Sequence, residues 1–352
     1  MKNDKTIKGE RTVYFDYLRV AATLAVMVIH IAARNWGRVE VGTYEWQVFN
    51  WADSLVRWSV PVFVMISGAL FLSRDIPVRK LYSKYVLRMT TSFLVWSILY
   101  AAIADVSTTE RIERIITGNY HMWFILMITG LYICTPVIKA ITSDETRMKY
   151  YLVLSGIFAF AVPWLVCLVN DFAGGGHFAK GVAAIYADIG VMNLSILMGY
   201  PAYYVLGYYL SRTELSVGVR RAIYLAGIAG FVLTGALTAA VSLRSGVALE
   251  NYYGYFSVNI LLMAAAVFTW FKYNMNKAGR YAPLMAKLAG YSYGAYLVHA
   301  LVIKELRKQF GLTTMSFQPV AALLLITAIV FVVSFAVSAV LNHIPVVKKY
   351  CV

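Results

Sequence analysis

The sequence predicts an all-α, polytopic membrane helix bundle with about ten transmembrane helices and both termini in the cytoplasm. Of its 352 residues, 60% are hydrophobic and only 14% are charged, whereas a soluble domain carries about 25% charged residues. A helix needs about 20 mostly apolar residues to cross a bilayer, so ten spans would occupy most of the chain. We therefore expect one membrane domain with short loops.

The candidate spans are the stretches that are apolar over a sufficient length. They lie at about 15–34, 49–73, 86–104, 121–141, 150–170, 190–210, 222–243, 253–271, 287–304 and 319–341. With this arrangement, 21 of the 32 lysines and arginines fall on the side of the termini and nine on the other. Cytoplasmic loops carry the excess of Lys and Arg, so we expect a cytoplasmic segment 1–14, a membrane domain 15–341 and a cytoplasmic tail 342–352 in a multi-pass protein of the cell (inner) membrane.

The net charge of +15 has the same explanation, so no nucleic acid partner is expected and the lipid bilayer is the expected environment. The three cysteines are scattered and have no metal-ligand spacing. Neither they nor the histidines form a metal-binding pattern, and we expect no metal. The longest connection, about 171–189, contains three consecutive glycines and is predicted to be a flexible loop.

Two ionisable residues of the first span are the strongest candidates for chemistry, because charged groups inside a membrane are costly and usually functional. Arg19 and His30 are 11 residues apart, which is close to three full helical turns and an axial separation of about 16 Å. Both should therefore point to one side, with Arg19 near the cytoplasm and His30 near the outer end. Asp16 lies one turn before Arg19 and could pair with it. Interface snorkelling by Arg19 is the alternative interpretation.

The second span contains a possible kink and a possible close helix contact. Pro61 would kink the helix, and Ser67-Gly68 would allow another helix to approach closely. Arg57 lies within the same span, but a packing kink is the favoured interpretation of this region. At the cytoplasmic mouth of the third span, Lys84 and Arg88 continue a basic stripe that could hold phosphates or simply anchor the helix on the positive side.

The outer ends of two later spans carry further candidates. His121 and Trp123 begin the fourth span, where a tryptophan usually belongs to the interfacial belt and a histidine could line an acceptor cleft. In the ninth span Ser292, Tyr296 and His299 share one helix face, and a polar face of this kind should point to the bundle interior. The pattern is equally typical of a catalytic site and of a packing network.

Together these segments resemble the acyltransferase 3 family of membrane acyltransferases. The matching segments occur in the family's order from residue 15 to about 340: Leu18-Arg19 with His30, then Val60-Pro61-Val62-Phe63 with Ser67-Gly68, then His121-Met122-Trp123-Phe124, and last Ser292-Tyr293-Gly294-Ala295-Tyr296-Leu297-Val298-His299. In size, and in having no fused domain, the chain looks like the stand-alone O-acetyltransferases of surface polysaccharides, including the enterobacterial common antigen type. Many members carry an Arg-x-Arg pair at the start of the third span, and this sequence has Lys84 and Arg88 there instead.

The resemblance implies an acyltransferase of ten helices that uses acetyl-CoA from the cytoplasm as acyl donor. The implied acceptor is a hydroxyl of a glycan or lipid-linked sugar on the outer side. In this hypothesis the catalytic residues are Arg19 and His30. The donor is bound by Arg19, Lys84 and Arg88. The acceptor is bound by His121, Trp123, Tyr296 and His299. The alternatives are a transporter or flippase without acyl chemistry, for which prolines in or near the spans give some support, and a structural or sensory membrane module.

Overall fold

The computed structural model describes residues 12–174, 176–192, 194, 199–277 and 279–352, and within these ranges the chain is built from helices and connecting turns with no β-strand. Residues 1–11, which hold the basic residues of the predicted cytoplasmic segment 1–14, lie outside the described residues. The helices are α1 Val13–Trp36, α2 Tyr44–Val56, α3 Ser59–Leu72, α4 Val78–Ala102, α5 Thr108–Thr117, α6 Trp123–Ile141, α7 Glu145–Phe172, α8 His177–Val191, α9 Tyr200–Arg212, α10 Val217–Ser245, α11 Val258–Asn274, α12 Ala282–Phe310, α13 Pro319–Leu341 and α14 Pro345–Tyr350.

Seven helical stretches of the described chain are long and apolar enough to cross a membrane. They are α1, the pair α2 and α3 taken together, α4, α6, α7, α10 and α13. The prediction of an all-α polytopic membrane bundle is therefore confirmed. The three other predicted spans correspond to the 13-residue α9, the 17-residue α11 and the 29-residue α12, and the total of ten spans stays a prediction.

Helix α1 lies at the centre of the bundle, because it packs against α2, α3, α12 and α13. Its Leu18, Ala22 and Met27 side chains are fully buried. Helix α12 packs along α1 with Ala295, Leu297 and His299 fully buried or nearly so. Polar residues of both helices line one interior cavity, among them His30 of α1 and Ser292 of α12, as the polar face of the ninth span predicts.

The kink predicted from Pro61 is a break between α2 and α3 at Arg57 and Trp58. The position has a steric cause, since a proline ring clashes with the carbonyl of the residue four positions earlier. For Pro61 that residue is Arg57. The break therefore falls where Pro61 excludes regular helix, and it places Arg57 between the two helices.

The close approach predicted at Gly68 is confirmed, and its partner is α9. A methyl group added at Gly68 would lie 1.8 Å from the carbonyl oxygen of Tyr204, and one added at Gly207 would lie 2.1 Å from that of Met65. Each glycine thus receives the backbone of the opposite helix, an arrangement that only a residue without a side chain permits. This contact fixes α3, and with it one wall of the cavity described below.

The loop predicted at 171–189 is wrong, because most of it is helix α8, His177–Val191. The glycines precede this helix. Gly174 has a positive φ of 70° and Gly176 is the N-cap residue, while Gly175 lies outside the described residues. The four alanines of this segment favour helix, and 15 residues are fewer than a span needs. In the described part of the predicted span 190–210, regular helix runs from Tyr200 and continues to Arg212.

Candidate active site

A cavity of about 330 Å³ lies between α1, α3, α4, α6 and α12. Six of the predicted site residues line it: Arg19, His30, Arg88, His121, Trp123 and Tyr296. Arg19 and His30 therefore face the same space, as their 11-residue spacing predicts. Lys84 and His299 do not line the cavity.

One end of the cavity is positively charged. Arg19 from α1 and Arg88 from α4 both lie within electrostatic range of the Tyr132 phenol on α6. The Tyr132 ring stacks on Phe71 with 4.2 Å between centroids, which holds it in place. Two guanidinium groups thus converge at the end that the charge count predicts to be cytoplasmic, an arrangement suited to phosphate oxygens.

Arg88 has a partner from the end of the described chain. Its guanidinium donates a hydrogen bond to the main-chain oxygen of Val352. The same segment is held by Ser92 and Trp96, whose side chains donate to the Cys351 carbonyl oxygen at 2.9 and 3.0 Å. The stretch predicted to be a tail is therefore packed against α4, with Val352 buried. Arg88 both lines the cavity and binds this stretch.

Lys84 is separated from Arg88 by a change of helix geometry. Residues Leu81–Val86 form a π-helical turn within α4, which widens the helix and rotates the residues that precede it. Lys84 is exposed and its ammonium group lies 5.5 Å from the Tyr85 ring centroid. The stripe that an unbroken α-helix would form from Lys84 to Arg88 is thus interrupted, and only Arg88 reaches the cavity.

At the other end of the cavity, His30 is hydrogen bonded to His299. The His30 Nδ1 atom lies 2.7 Å from His299 Nε2, and the two rings are nearly parallel with centroids 4.9 Å apart. His299 is fully buried, and its Nδ1 contacts the Tyr296 carbonyl oxygen.

These contacts assign the tautomers of both neutral rings. A carbonyl oxygen can only accept, so His299 Nδ1 carries the proton that it donates to Tyr296. The Nε2 atom of His299 is then an acceptor, and His30 Nδ1 donates to it. His30 Nε2 is left with a free lone pair on the residue that lines the cavity, which is the arrangement a general base requires.

His121 and Tyr296 form the wall beside this pair of histidines. The His121 ring is buried and stands 5.1 Å from the His299 ring and 5.5 Å from the Tyr296 ring. Its nitrogens make no hydrogen bond of good geometry to the described residues, although the Leu297 main chain lies close by. The Tyr296 hydroxyl donates to the His121 carbonyl oxygen. An unpaired buried ring nitrogen at a cavity wall is available to a polar ligand.

Trp123 closes the cavity from the side of α6. Its ring lies 5.9 Å from that of Tyr255 at 30°, and it is 38% exposed. Both rings line the cavity. Trp123 thus contributes an apolar face to the site, beyond the belt position that its place in the sequence indicates.

An ion pair that was not predicted from the sequence lies behind the site. Arg57, interpreted as part of a packing kink, donates to the Asp53 carboxylate at 2.6 Å, and its guanidinium lies 4.1 Å from the Tyr253 ring centroid. Both members of the pair are buried, and Arg57 lies within electrostatic range of His30. The signal that could have found the pair is the spacing of four residues between an acid and a base inside one apolar span.

Comparison with known proteins gives one finding on the family. The sequence model of the acyltransferase 3 family, described as an acyltransferase domain, matches residues 12–343. No curated protein and no solved structure matches the chain. The family match covers every segment that lines the cavity, from Arg19 to Tyr296. The chain therefore belongs to the acyltransferase 3 family.

Proposed function

We propose that this membrane acyltransferase transfers an acetyl group from cytoplasmic acetyl-CoA to a hydroxyl of a cell-surface or envelope glycan. The observation that carries the proposal is one cavity with arginines at one end and the His30–His299 pair at the other. A cation end suits the phosphates of the donor, and a histidine with a free ring nitrogen suits an acceptor hydroxyl. The proposed site of action is the cell membrane, with the donor entering from the side of the arginines.

The donor would bind through Arg19 and Arg88, with its thioester arm inside the cavity. The side chain of Arg88 already donates to the main-chain oxygen of Val352. A donor phosphate at this position would compete with that oxygen, and a doubly negative phosphate is the stronger acceptor. Lys84 lies outside the cavity and would contribute at most a long-range attraction.

The reaction would proceed with His30 as general base. Its Nε2 takes the proton from the acceptor hydroxyl while the hydroxyl oxygen attacks the thioester carbonyl carbon. The new C–O ester bond forms, the C–S bond breaks, and the departing CoA sulfur takes up the proton from His30. His299 accepts the hydrogen bond from His30 Nδ1 throughout, which stabilises the positive charge that His30 gains.

The acceptor would lie against His121, Trp123 and Tyr296. Within the described chain, the two ring nitrogens of His121 have no partner in good hydrogen-bond geometry, and they suit sugar hydroxyls as donor and acceptor. Trp123 and Tyr296 offer ring faces to the apolar face of a sugar ring. His30 lines the same cavity as all three, and its ring centroid is 6.4 Å from that of His121.

The test is acetyl transfer by purified protein in lipid nanodiscs. Wild type and His30→Ala would be supplied with acetyl-CoA carrying a labelled acetyl group, together with a panel of neutral and acidic oligosaccharides. His343→Ala is the matched control, because His343 is exposed and its side chain bonds the Ala339 carbonyl away from the cavity. We expect labelled acceptor and free CoA from wild type and from His343→Ala, and a loss of at least about 100-fold in His30→Ala.

Two outcomes would contradict the proposal. Full activity of folded His30→Ala would remove His30 from the chemistry. Absence of CoA release with every acceptor, combined with oligosaccharide movement across vesicles that hold no acetyl-CoA, would favour transport instead of acyl transfer.

A further inference from the structure

Three arginines form a cluster at the end of the cavity that holds His30. This outer arginine cluster consists of Arg34 and Arg38, at and just beyond the end of α1, and Arg307 on α12. Arg34 and Arg307 line one small cleft together with Asn35 and Thr314, and the positive charges of both Arg307 and Arg38 act on Arg34. The charge count predicts this end of the bundle to be the outer side.

The side chains of the cluster are unpaired within the described part of the chain. No ion pair involves any of its three side chains, and none of them donates a hydrogen bond to another described residue. The neighbouring carboxylate of Glu305 accepts instead from Gln309 at 3.1 Å. Three adjacent cations without an anion repel one another, and a bound anion would relieve that repulsion.

The cluster is also aligned with the proposed general base. Arg34 follows His30 by four residues on α1, so both lie on one helix face about one turn, or 6 Å, apart. Tyr120 links the two positions, since its ring stands 5.3 Å from the His30 ring at 86° and its hydroxyl lies within electrostatic range of Arg34. An anion at Arg34 would therefore lie about one helical turn outside the hydroxyl that His30 deprotonates.

We propose that the outer arginine cluster binds a carboxylate or phosphate of the acceptor, and that the acceptor is therefore an acidic glycan. This inference rests on the proposed function for the identity of the acceptor, but the anion site itself is a binding property. Arg34 and Arg307 present planar guanidinium groups that suit bidentate contacts to either anion. The charged group would set the register of the glycan, so that the hydroxyl one sugar ring further in meets His30.

The experiment measures binding separately from chemistry. Purified full-length protein in nanodiscs of zwitterionic lipid would be titrated calorimetrically with a hexuronic acid oligosaccharide and with its methyl ester, which has the same ring hydroxyls and no charge. A phosphorylated oligosaccharide and its dephosphorylated form make a second pair. The variants are Arg34→Gln and Arg307→Gln, with Arg111→Gln as a control, because Arg111 is exposed on α5 and is predicted to lie on the same side.

We expect at least one anionic probe to bind more tightly than its neutral counterpart. Arg34→Gln and Arg307→Gln should each raise the Kd for that probe about tenfold, as the loss of one charge-assisted contact implies. The Kd for the neutral probe, and all values for Arg111→Gln, should stay within about twofold of wild type.

The proposal is overturned if neither anionic probe is preferred, or if the two variants bind it as wild type does. It is also overturned if Arg34 matters only for binding anionic lipid, measured with nanodiscs that contain anionic lipid, since the cluster would then be a headgroup contact. Acetyl transfer without a preference for anionic acceptors would support the proposed function and contradict the anion site. Arginine-dependent anion binding without any acetyl transfer would support the anion site and contradict the proposed function.

Discussion

Replacing His299 with phenylalanine tests whether the contact between the two histidines serves the reaction. The substitution keeps an aromatic ring at a fully buried position and removes the Nε2 acceptor that faces His30 Nδ1 at 2.7 Å. His30 would then lose the partner that fixes its tautomer and stabilises its positive charge. His299 does not line the cavity, so neither substrate should lose a contact.

The size of the effect follows from that single contact. A hydrogen bond to a charged group contributes about 1.5–3 kcal/mol, and each 1.36 kcal/mol corresponds to about a factor of ten in rate. His299→Phe should therefore lower kcat roughly 10- to 100-fold with little change in either KM. His299→Gln, whose amide oxygen can reach the same place as Nε2, should lose less than about tenfold.

The assay is steady-state CoA release with saturating and limiting concentrations of each substrate, together with the thermal midpoint of each variant. In addition, the double variant with His30→Ala should be no slower than His30→Ala alone, because the two residues act as one unit. A His299→Phe protein with full kcat would refute the argument. So would a loss that appears only in KM, or equal losses in His299→Phe and His299→Gln.

Two further predictions concern the walls of the site. Gly68→Ala should lower the thermal midpoint and the folded yield, because the added methyl would lie 1.8 Å from the Tyr204 carbonyl oxygen. Gly130→Ala should have no such effect, because nothing lies within 4 Å of its added methyl. Equal midpoints for the two variants would contradict the packing described. Asp53→Asn should destabilise the protein by on the order of 3 kcal/mol, since it leaves the buried Arg57 without its carboxylate. Adding Arg57→Gln to Asp53→Asn should recover part of the loss, and a fully stable single variant would show that the pair contributes nothing.

The sequence predicted the bundle well because its strongest signals are local. Apolar length alone located α1, α6 and α13 to within a few residues, since a membrane span depends on composition over one continuous segment. The same method failed at α8, where a glycine run suggested a loop before an apolar stretch too short to span. It also could not place Arg57 at a helix break until the effect of Pro61 on the residue four positions earlier was considered.

The candidate site was predictable where its geometry lies within one helix. The spacing of Arg19 and His30 on α1 predicted that they share a side, and both line the cavity. The bond between His30 and His299 joins residues 269 positions apart, and no helical periodicity relates them. Sequence spacing cannot reveal the π-helical turn at Lys84, which departs from regular helix geometry. The prediction that Lys84 and Arg88 share one helix face therefore does not hold.

In the proposed function, one cavity joins a donor from the side of the arginines to an acceptor on the side of the histidines. Proteoliposomes of known orientation test it most directly, with labelled acetyl-CoA supplied on one side only and an oligosaccharide acceptor on the other side only. We predict labelled acceptor when acetyl-CoA is on the side of Arg88 and acceptor on the side of His30, and none in the reverse arrangement. Transfer only when both substrates are on the same side would contradict the account.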